Sequence, residues 1–424
     1  MLSIGRYILI EDSTITSPQL FNRAYKTELA PDKNQLHFMR NHAGAARFAY
    51  NWGLRWKLNT MDYNRLPHPR VRIPTAVDLH MELNRLKKTK YAWMYESSKC
   101  APQEALRDLD QAFSNYFEGR AGFPRFRSKK RCAGSFTLTG AIRVEPDKVR
   151  LPRIGWIRLK ERGYIPSRLH INSATVTERA GRWFVAVNVV EGVDESVRIK
   201  GPVVGVDRGI SKLLVVSDGT VVENPRALKH HERKLKHLQR DMSRKKRDSK
   251  SRWRVVQALR RKHYHIARVR LETISKATTI LAKTKSVIVV EDLNVKGMMA
   301  NHNLAESIGD ASWSEAVRQL RYKTAWYGSR LVIASPWYPS TKRCSACGNV
   351  KEHMDMSERL YHCEACGFTM ERDLNAARNL EQWPGVARTL ETPVEGGVQP
   401  LLVAQPPAES GTISLEKGLS SWMS

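Results

Sequence analysis

Two groups of residues in this chain have types and spacings that could do chemistry. The first is a set of three distant carboxylates, Asp207, Glu291 and Asp373. Asp207 closes the apolar run Val203-Val204-Gly205-Val206, and Glu291 closes the β-branched run Val287 to Val290. Asp373 opens a helical stretch further on. Open α/β sheets place their active sites beyond the carboxyl ends of strands. Three carboxylates gathered there would repel one another strongly unless a cation lay between them. Mg²⁺ is a hard, oxygen-seeking ion held by a few carboxylates plus substrate phosphate. Two such ions about 4 Å apart can activate a water and stabilise the leaving oxygen of a phosphodiester. Each acid alone would more often be a cap or a surface charge, so the conjunction of three carries the reading.

The second group is sulfur. Cys344-Ser345-Ala346-Cys347 and Cys363-Glu364-Ala365-Cys366 lie 15 residues apart, and each pair is followed by a glycine, Gly348 or Gly367. Two such knuckles can present four thiolates tetrahedrally to Zn²⁺ at about 2.3 Å. A closed four-thiolate site leaves no position for substrate, so the expected role is structural. His362 is a substitute ligand that the four cysteines should outcompete. Cys100 and Cys132 stand alone and read as reduced, structural thiols.

The rest of the chain must position these groups and hold their substrate. A formal charge of +29 over 424 residues points to a polyanionic partner, most simply nucleic acid. No run approaches the ~20 apolar residues of a membrane span. The start of the chain lacks the apolar core of a signal peptide, which predicts a cytoplasmic protein.

Residues 1 to 20 show no pattern. A short strand at Ala24–Leu29 is followed by Asp32 as a helix N-cap. Helices are predicted from there, over about Val77 to Lys88, and after Pro102. From Gly119 to Arg131 glycines and a proline forbid a helix, while rings alternate with cations. Arg125, Arg127, Lys129, Lys130 and Arg131 there suit a strand of nucleic acid, whose bases stack and whose phosphates pair. Six short strands between Ser135 and Val190 suggest a small β-barrel, into which the helices are inserted.

Val203–Asp207, Lys212–Ser217 and Thr220–Glu223 then form a meander turning at Asp218-Gly219. Long basic helices follow at about Arg226–Lys246 and Ser251–Lys283. Between Arg226 and Lys262 there are 16 Lys/Arg against 3 Asp/Glu, too lopsided for self-neutralising pairs. Arg244, Lys245, Lys246 and Arg247 are therefore read as polyanion contacts. The strand ending in Glu291, a helix at Trp313–Tyr327, a strand at Leu331–Ser335 and a last helix from Asp373 complete the order. Three strands, helix, strand, helix, strand, helix matches an RNase H-type nuclease, in which the three acids meet at one edge. Adjacent residues at a strand end point to opposite sides, so Glu291 rather than Asp292 is the expected ligand.

Several motifs together resemble the TnpB family of transposon-encoded RNA-guided DNA nucleases, relatives of type V CRISPR effectors. They are Gly205-Val206-Asp207-Arg208-Gly209-Ile210, Val290-Glu291-Asp292-Leu293, Asp310-Ala311-Ser312-Trp313, Trp326-Tyr327-Gly328, and Ser335-Pro336-Trp337-Tyr338-Pro339-Ser340. The two knuckles and Glu371-Arg372-Asp373-Leu374-Asn375-Ala376-Ala377-Arg378-Asn379-Leu380 continue the match, and Gly122-Phe123-Pro124-Arg125-Phe126 fits as well. The family often has aspartate where Glu371 stands, two residues before the matched catalytic acid.

The resemblance implies a multidomain α+β protein. Its parts would be an N-terminal leader (1–21), a β-barrel wedge domain (22–31 and 132–200) and a helical recognition lobe with basic linker (32–131). A RuvC-like nuclease domain (201–343 and 367–384), a zinc-binding insertion (344–366) and a disordered tail (385–424) would follow. It implies that Asp207, Glu291 and Asp373 are catalytic and hold Mg²⁺, two ions being expected. It also implies a guide RNA from the transposon end, one protein per RNA, with double-stranded DNA as target. Gln103 and the strand Ser135–Thr139 would face a short target-adjacent motif. The expected activity is RNA-guided cleavage of DNA beside that motif. The alternatives are a nuclease-inactive RNA-guided repressor, a transposase acting by itself, and a compact type V CRISPR effector.

Overall fold

The computed structural model describes residues 19–129, 134–193, 198–355 and 357–384. Residues 1–18 of the expected leader, Lys130, Arg131, Cys132 and the expected tail from 385 lie outside the described residues.

Among the described residues the first element is β1 (Gln19–Ala30), which starts inside the stretch read as a leader. The reason is a partner far along the chain. Gln19 to Leu29 pair antiparallel with Val193 to Trp183, a ladder that no local pattern announces. Asp32 then caps α1 (Lys33–Tyr63) in a full capping box with Gln35. Thr75 and Asp78 do the same for α2 (Ala76–Lys87). A 3₁₀ turn at Ala92–Glu96 that the sequence did not signal leads into α3 (Cys100–Phe117).

The six expected strands follow as β2 (Ser135–Leu138), β3 (Arg143–Glu145), β4 (Lys148–Leu151), β5 (Gly155–Leu159), β6 (Ile171–Arg179) and β7 (Arg182–Val193). With β1 they form one sheet in the order β2-β6-β7-β1-β5-β4-β3. All its ladders are antiparallel. No ladder joins β2 to β3 among the described residues, so the expected barrel stands as a seven-strand ladder without a closing pair. The helices are an insertion after β1, as expected. Their apolar stripes, including Met39, Leu54, Leu83, Leu106 and Leu109, share one continuous core with Phe136, Leu138, Val176 and Val187 of the sheet. Lobe and sheet are thus one folding body.

The second body starts with the meander β8 (Val203–Asp207), β9 (Lys212–Val216) and β10 (Val221–Glu223), turning at Gly219 with φ +90°. The basic helices α4 (Ala227–Arg244) and α5 (Lys250–Thr284) form a hairpin with a small core around Leu235 and Ile266. Then come β11 (Val287–Glu291), α6 (Val295–Met298), α7 (Ala305–Ala311), α8 (Trp313–Tyr327) and β12 (Arg330–Ala334). Strands β13 (Leu360–His362) and β14 (Thr369–Glu371) form a small ribbon, and α9 (Arg372–Glu381) ends the described chain but for residues 382–384.

The five-stranded sheet has the order β10-β9-β8-β11-β12. The meander is antiparallel, while β8, β11 and β12 run parallel. Strands buried on both faces read as apolar runs, which is why Val287 to Val290 are all buried. One face packs on α5, α7 and α8 and the other on α9. Between α5 and α8 the ammonium of Lys323 is buried but donates to oxygens of Ser275, Thr278, Thr279 and Gln319. Among the described residues, no helix is long and apolar enough to cross a membrane.

Candidate active site

Side-chain alternation decides which way the strand-end acids face. Along β11, Ile288 and Val290 enter the core shared with α5 and α8, while Val287 and Val289 enter the core shared with α9. Glu291 has the parity of Val289 and so belongs to the α9 face, whereas Asp292 does not. Along β8, Val204 and Val206 lie on the α5 side, which puts Asp207 on the α9 side as well. Asp373 stands in the first turn of α9 and is buried. A carboxylate there is favoured by the helix N-terminus.

What brings α9 close enough is Gly205. A Cβ at that position would lie 2.0 Å from the Ala377 carbonyl oxygen and 2.5 Å from the Glu381 nitrogen. Only glycine lets the helix backbone rest directly on β8. The Asp373 carboxylate then lies beside the segment after Asp207, with its Oδ2 3.8 Å from where a Gly209 Cβ would stand.

Electrostatics show the same convergence. Burial, then the charge of Asp373, then that of Glu291, push the Asp207 carboxyl up to about 7. Burial also raises Glu291, against the opposing pull of Arg208 and a hydrogen bond from Ser340. Arg208 is itself buried, and its Nη2 donates to the Glu291 carbonyl. Burial lowers its pKa, while Glu291, Asp207 and Asp292 raise it. On the outer side, Arg372 holds Asp373 at 3.1 Å. The structure therefore draws all three predicted acids into one electrostatic cluster. They are not as tightly drawn as the cysteines, which form the one group among the described residues with every ligand atom within 4.8 Å.

In that cysteine group, sulfur separations are 3.8 Å for Cys344–Cys366 and 3.6 Å for Cys347–Cys363. A tetrahedron with 2.3 Å metal–sulfur arms has edges of about 3.8 Å, so the donor set fits Zn²⁺. The two knuckles are built alike. Gly348 N donates to Cys344 O and Gly367 N to Cys363 O, both at 2.9 Å, with left-handed glycines at φ +79° and +71°. Burial would raise the Cys363 thiol, yet donors from the Cys366 and Ala365 backbone carry it down to about 6. His362 lies outside the cluster, with Nδ1 2.9 Å from the Thr369 hydroxyl.

Buried asparagines that composition alone did not single out tie this centre to the acids. Asn375 of α9 accepts from Ser345 N and donates to Arg343 O, and Asn379 donates to Ser340 O and Arg343 O. Their i, i+4 spacing on a helix otherwise lined with alanines was the available signal. Ser340, which meets the Glu291 carboxylate, left no signal of its own.

The expected nucleic-acid contacts are spread out. Arg125 and Lys129 are exposed, but Arg127 is engaged internally. Its guanidinium lies 3.7 Å from the centre of the Tyr50 ring and 3.6 Å from Asp108, and Asn51 clamps its backbone at both N and O. Gln103 is half-buried on α3, which packs on β2. Arg244, Lys246 and Arg247 are exposed at the tip of the α4–α5 hairpin, where Lys245 pairs with Asp241.

Fold and site thus define a mixed α/β protein with an acidic cluster at its strand ends and a four-cysteine centre held by the same helix. Family models match three parts of the chain: "Helix-turn-helix domain" over 21–60, "Probable transposase" over 184–302 and "Cas12f1-like, TNB domain" over 313–380. A protein of Streptomyces pristinaespiralis named "Putative RNA-guided DNA endonuclease" is 33% identical over 375 residues, covering 85% of this chain and 89% of its own. Its namesake InsQ of Escherichia coli K12 is 31% identical over 376 residues, covering 84% and 91%. A solved Cas12f1–sgRNA–target DNA complex aligns over 82% of both chains at 14% identity and TM-score 0.48. The chain belongs to the TnpB family, with its IS605-type transposase domains and RNA-guided endonuclease relatives. Residues 21–60 here are not two helices about a turn but a strand and one continuous helix.

Proposed function

We propose that this protein is a transposon's RNA-guided DNA endonuclease that cuts beside a short adjacent motif by Mg²⁺-dependent phosphodiester hydrolysis. The observation that carries the reading is the convergence of Asp207, Glu291 and Asp373 on the α9 face of one sheet. The sheet order and the closing helix fit an RNase H-like (RuvC) nuclease domain. The relatives' names support the RNA guide and the DNA target.

The donor set suits Mg²⁺: hard carboxylate oxygens, partly buried, with the charges of Asp373 and Glu291 bearing on Asp207 more than Arg208 offsets. When bound there, Mg²⁺ would activate the attacking water and stabilise the leaving oxygen. Ionised Asp207, Glu291 and Asp373 would hold it. Arg208 fixes the end of β11 through the Glu291 carbonyl, and Ser340 orients the Glu291 carboxylate. The four cysteines would hold Zn²⁺ as a structural clasp that sets the Ser340 loop against α9. The body of residues 22–200 would grip guide RNA and read the adjacent motif. The exposed hairpin cations would meet phosphates, so affinity should fall steeply with salt. One protein per RNA, acting in the cytoplasm on double-stranded DNA, completes the reading.

The test supplies guide RNA, Mg²⁺ and a target plasmid to the wild type and to Asp207→Ala. The wild type should cut and the variant should bind without cutting. A wild type that binds the target and leaves it intact refutes the nuclease and leaves an RNA-guided repressor.

A further inference from the structure

A concave surface on the helical insertion is used by none of the acids, the knuckles or the α4–α5 hairpin. A cleft of about 730 Å³ runs along α1. It continues into a second of about 410 Å³ that shares Trp52 and Arg55 with it. Arg40, Arg47 and Arg55 recur at seven- and eight-residue spacing on one stripe of the helix, and all three line the cleft. Arg40 and Arg55 are exposed and Arg47 partly so. None of the three has a carboxylate partner among the described ion pairs. The one acid in the lining, Glu96, already accepts from Asn41 at 3.1 Å.

Rings supply the facing surface. Phe48 and Trp52 form the next stripe of α1, and the 3₁₀ turn adds Trp93, 46% exposed and edge-on to Phe48 at 5.3 Å. Phe126 arrives from the linker with Arg55 4.9 Å above its ring, leaving 44% of it open. The cleft floor at Gly44 is clear: a Cβ there would meet nothing within 4 Å.

Cations without a carboxylate partner on one stripe, beside the half-exposed rings of Trp93 and Phe126, have a specific chemistry. Rings accept any base face, and arginines meet the phosphates that follow. A duplex keeps its bases stacked inside and offers such rings nothing, which selects against a double-stranded occupant. The 15 residues from Arg40 to Arg55 span about 22 Å of helix axis, enough for a strand of roughly four nucleotides, near the lower end of single-strand site sizes. We propose that this α1 cleft holds a single-stranded stretch of nucleic acid, stacking its bases and pairing its phosphates with Arg40, Arg47 and Arg55. It rests on the nucleic-acid reading above, in which opening a target leaves strands unpaired, but its test reads binding and not cleavage.

Full-length protein is titrated with labelled twelve-nucleotide oligo-dT, oligo-U and a duplex of equal length, by anisotropy across a range of NaCl. The Arg40→Gln/Arg47→Gln/Arg55→Gln variant should flatten the single-strand salt slope by about 2, three phosphate contacts at about 0.7 each. Trp93→Ala should weaken single-strand binding about tenfold and leave the slope and duplex affinity unchanged. A larger loss with oligo-dT marks a displaced DNA strand as the occupant, and one with oligo-U an unpaired segment of RNA. An unchanged salt slope, or an equal loss on the duplex, overturns the proposal. Plasmid cleavage by the same wild-type preparation is scored separately. A protein that cuts but lacks the arginine-dependent slope refutes the cleft alone, and one that shows the slope but never cuts refutes the nuclease alone.

Discussion

Asp207 is a residue whose function opposes its stability. Its carboxyl is raised from 3.8 to about 7, so between those values the folded protein keeps a proton that the unfolded chain releases. The stability contributed is complete below about pH 4, falls as pH rises toward 7, and is gone above it. Asp207→Asn removes the repulsion without needing a proton. In metal-free protein, the stability of the variant relative to wild type, read as a melting-temperature difference, should climb from pH 4 to 7 and level off at pH 8, a gain on the order of 4 kcal/mol for a carboxyl raised from 3.8 to about 7. Mg²⁺ should then stabilise the wild type at pH 8 and not the variant, and the wild type's apparent Mg²⁺ affinity should fall as pH drops below 7. Scanning fluorimetry in a pH series reads both. A variant gaining nothing at pH 8 over pH 5 would sink the account.

At the scale of elements, the termini of helices are where distant sequence intervenes. Arg226 precedes α4 in a left-handed conformation, φ +42°, and offers no side-chain cap. The cap comes instead from Asp310 in α7, whose two oxygens each accept from Leu228 N at 3.1 Å. The same buried carboxylate pairs with Arg270 of α5 at 2.6 Å. One acid therefore fastens α4, α5 and α7 together. Asp310→Ala should cost about 3 kcal/mol, because it strands a largely buried guanidinium and frees the Leu228 amide in the first turn of α4. Hydrogen exchange should speed up in that first turn before anywhere else in the hairpin. Uniform acceleration across the whole hairpin would argue against a local cap.

At the scale of the whole molecule, the cores of the two bodies stay separate. The helical lobe and seven-stranded sheet share one, and the five-stranded sheet has its own on both faces. The bodies meet through rings and cations: Arg23 lies 4.7 Å from the Trp326 ring, and Phe184 lies 5.8 Å from Tyr264. One backbone bond, Ile199 N to Gly328 O at 3.1 Å, adds to these. A junction of this kind couples two folding units weakly. Arg23→Ala/Tyr264→Ala should widen the gap between two calorimetric transitions while leaving the heat of each nearly intact. A single transition that simply moves lower would mean that the cores fold as one.

The sequence by itself determined the elements, because their signals are local. The Asp32 cap, the β-branched run before Glu291, the alternation of β2 to β7 and the paired cysteines all lie within a few residues of what they specify. It also placed Asp207, Glu291 and Asp373 at element ends, and side-chain parity chose Glu291 over Asp292. The tertiary structure decided what lies between elements. The β1–β7 ladder extended β1 into the expected leader, and the helical insertion and the sheet proved to share one core. Gly205 admitted α9 onto β8 and so set Asp373 beside Asp207. Arg127, read from its neighbours as a phosphate contact, turned inward onto Tyr50 and Asp108. Arg208, Ser340 and Asp310 acquired roles through partners some 40 to 80 residues away. Periodicity reports the side on which a residue will be buried. Which partner meets it there depends on the packing of whole elements, and no window along the chain contains that.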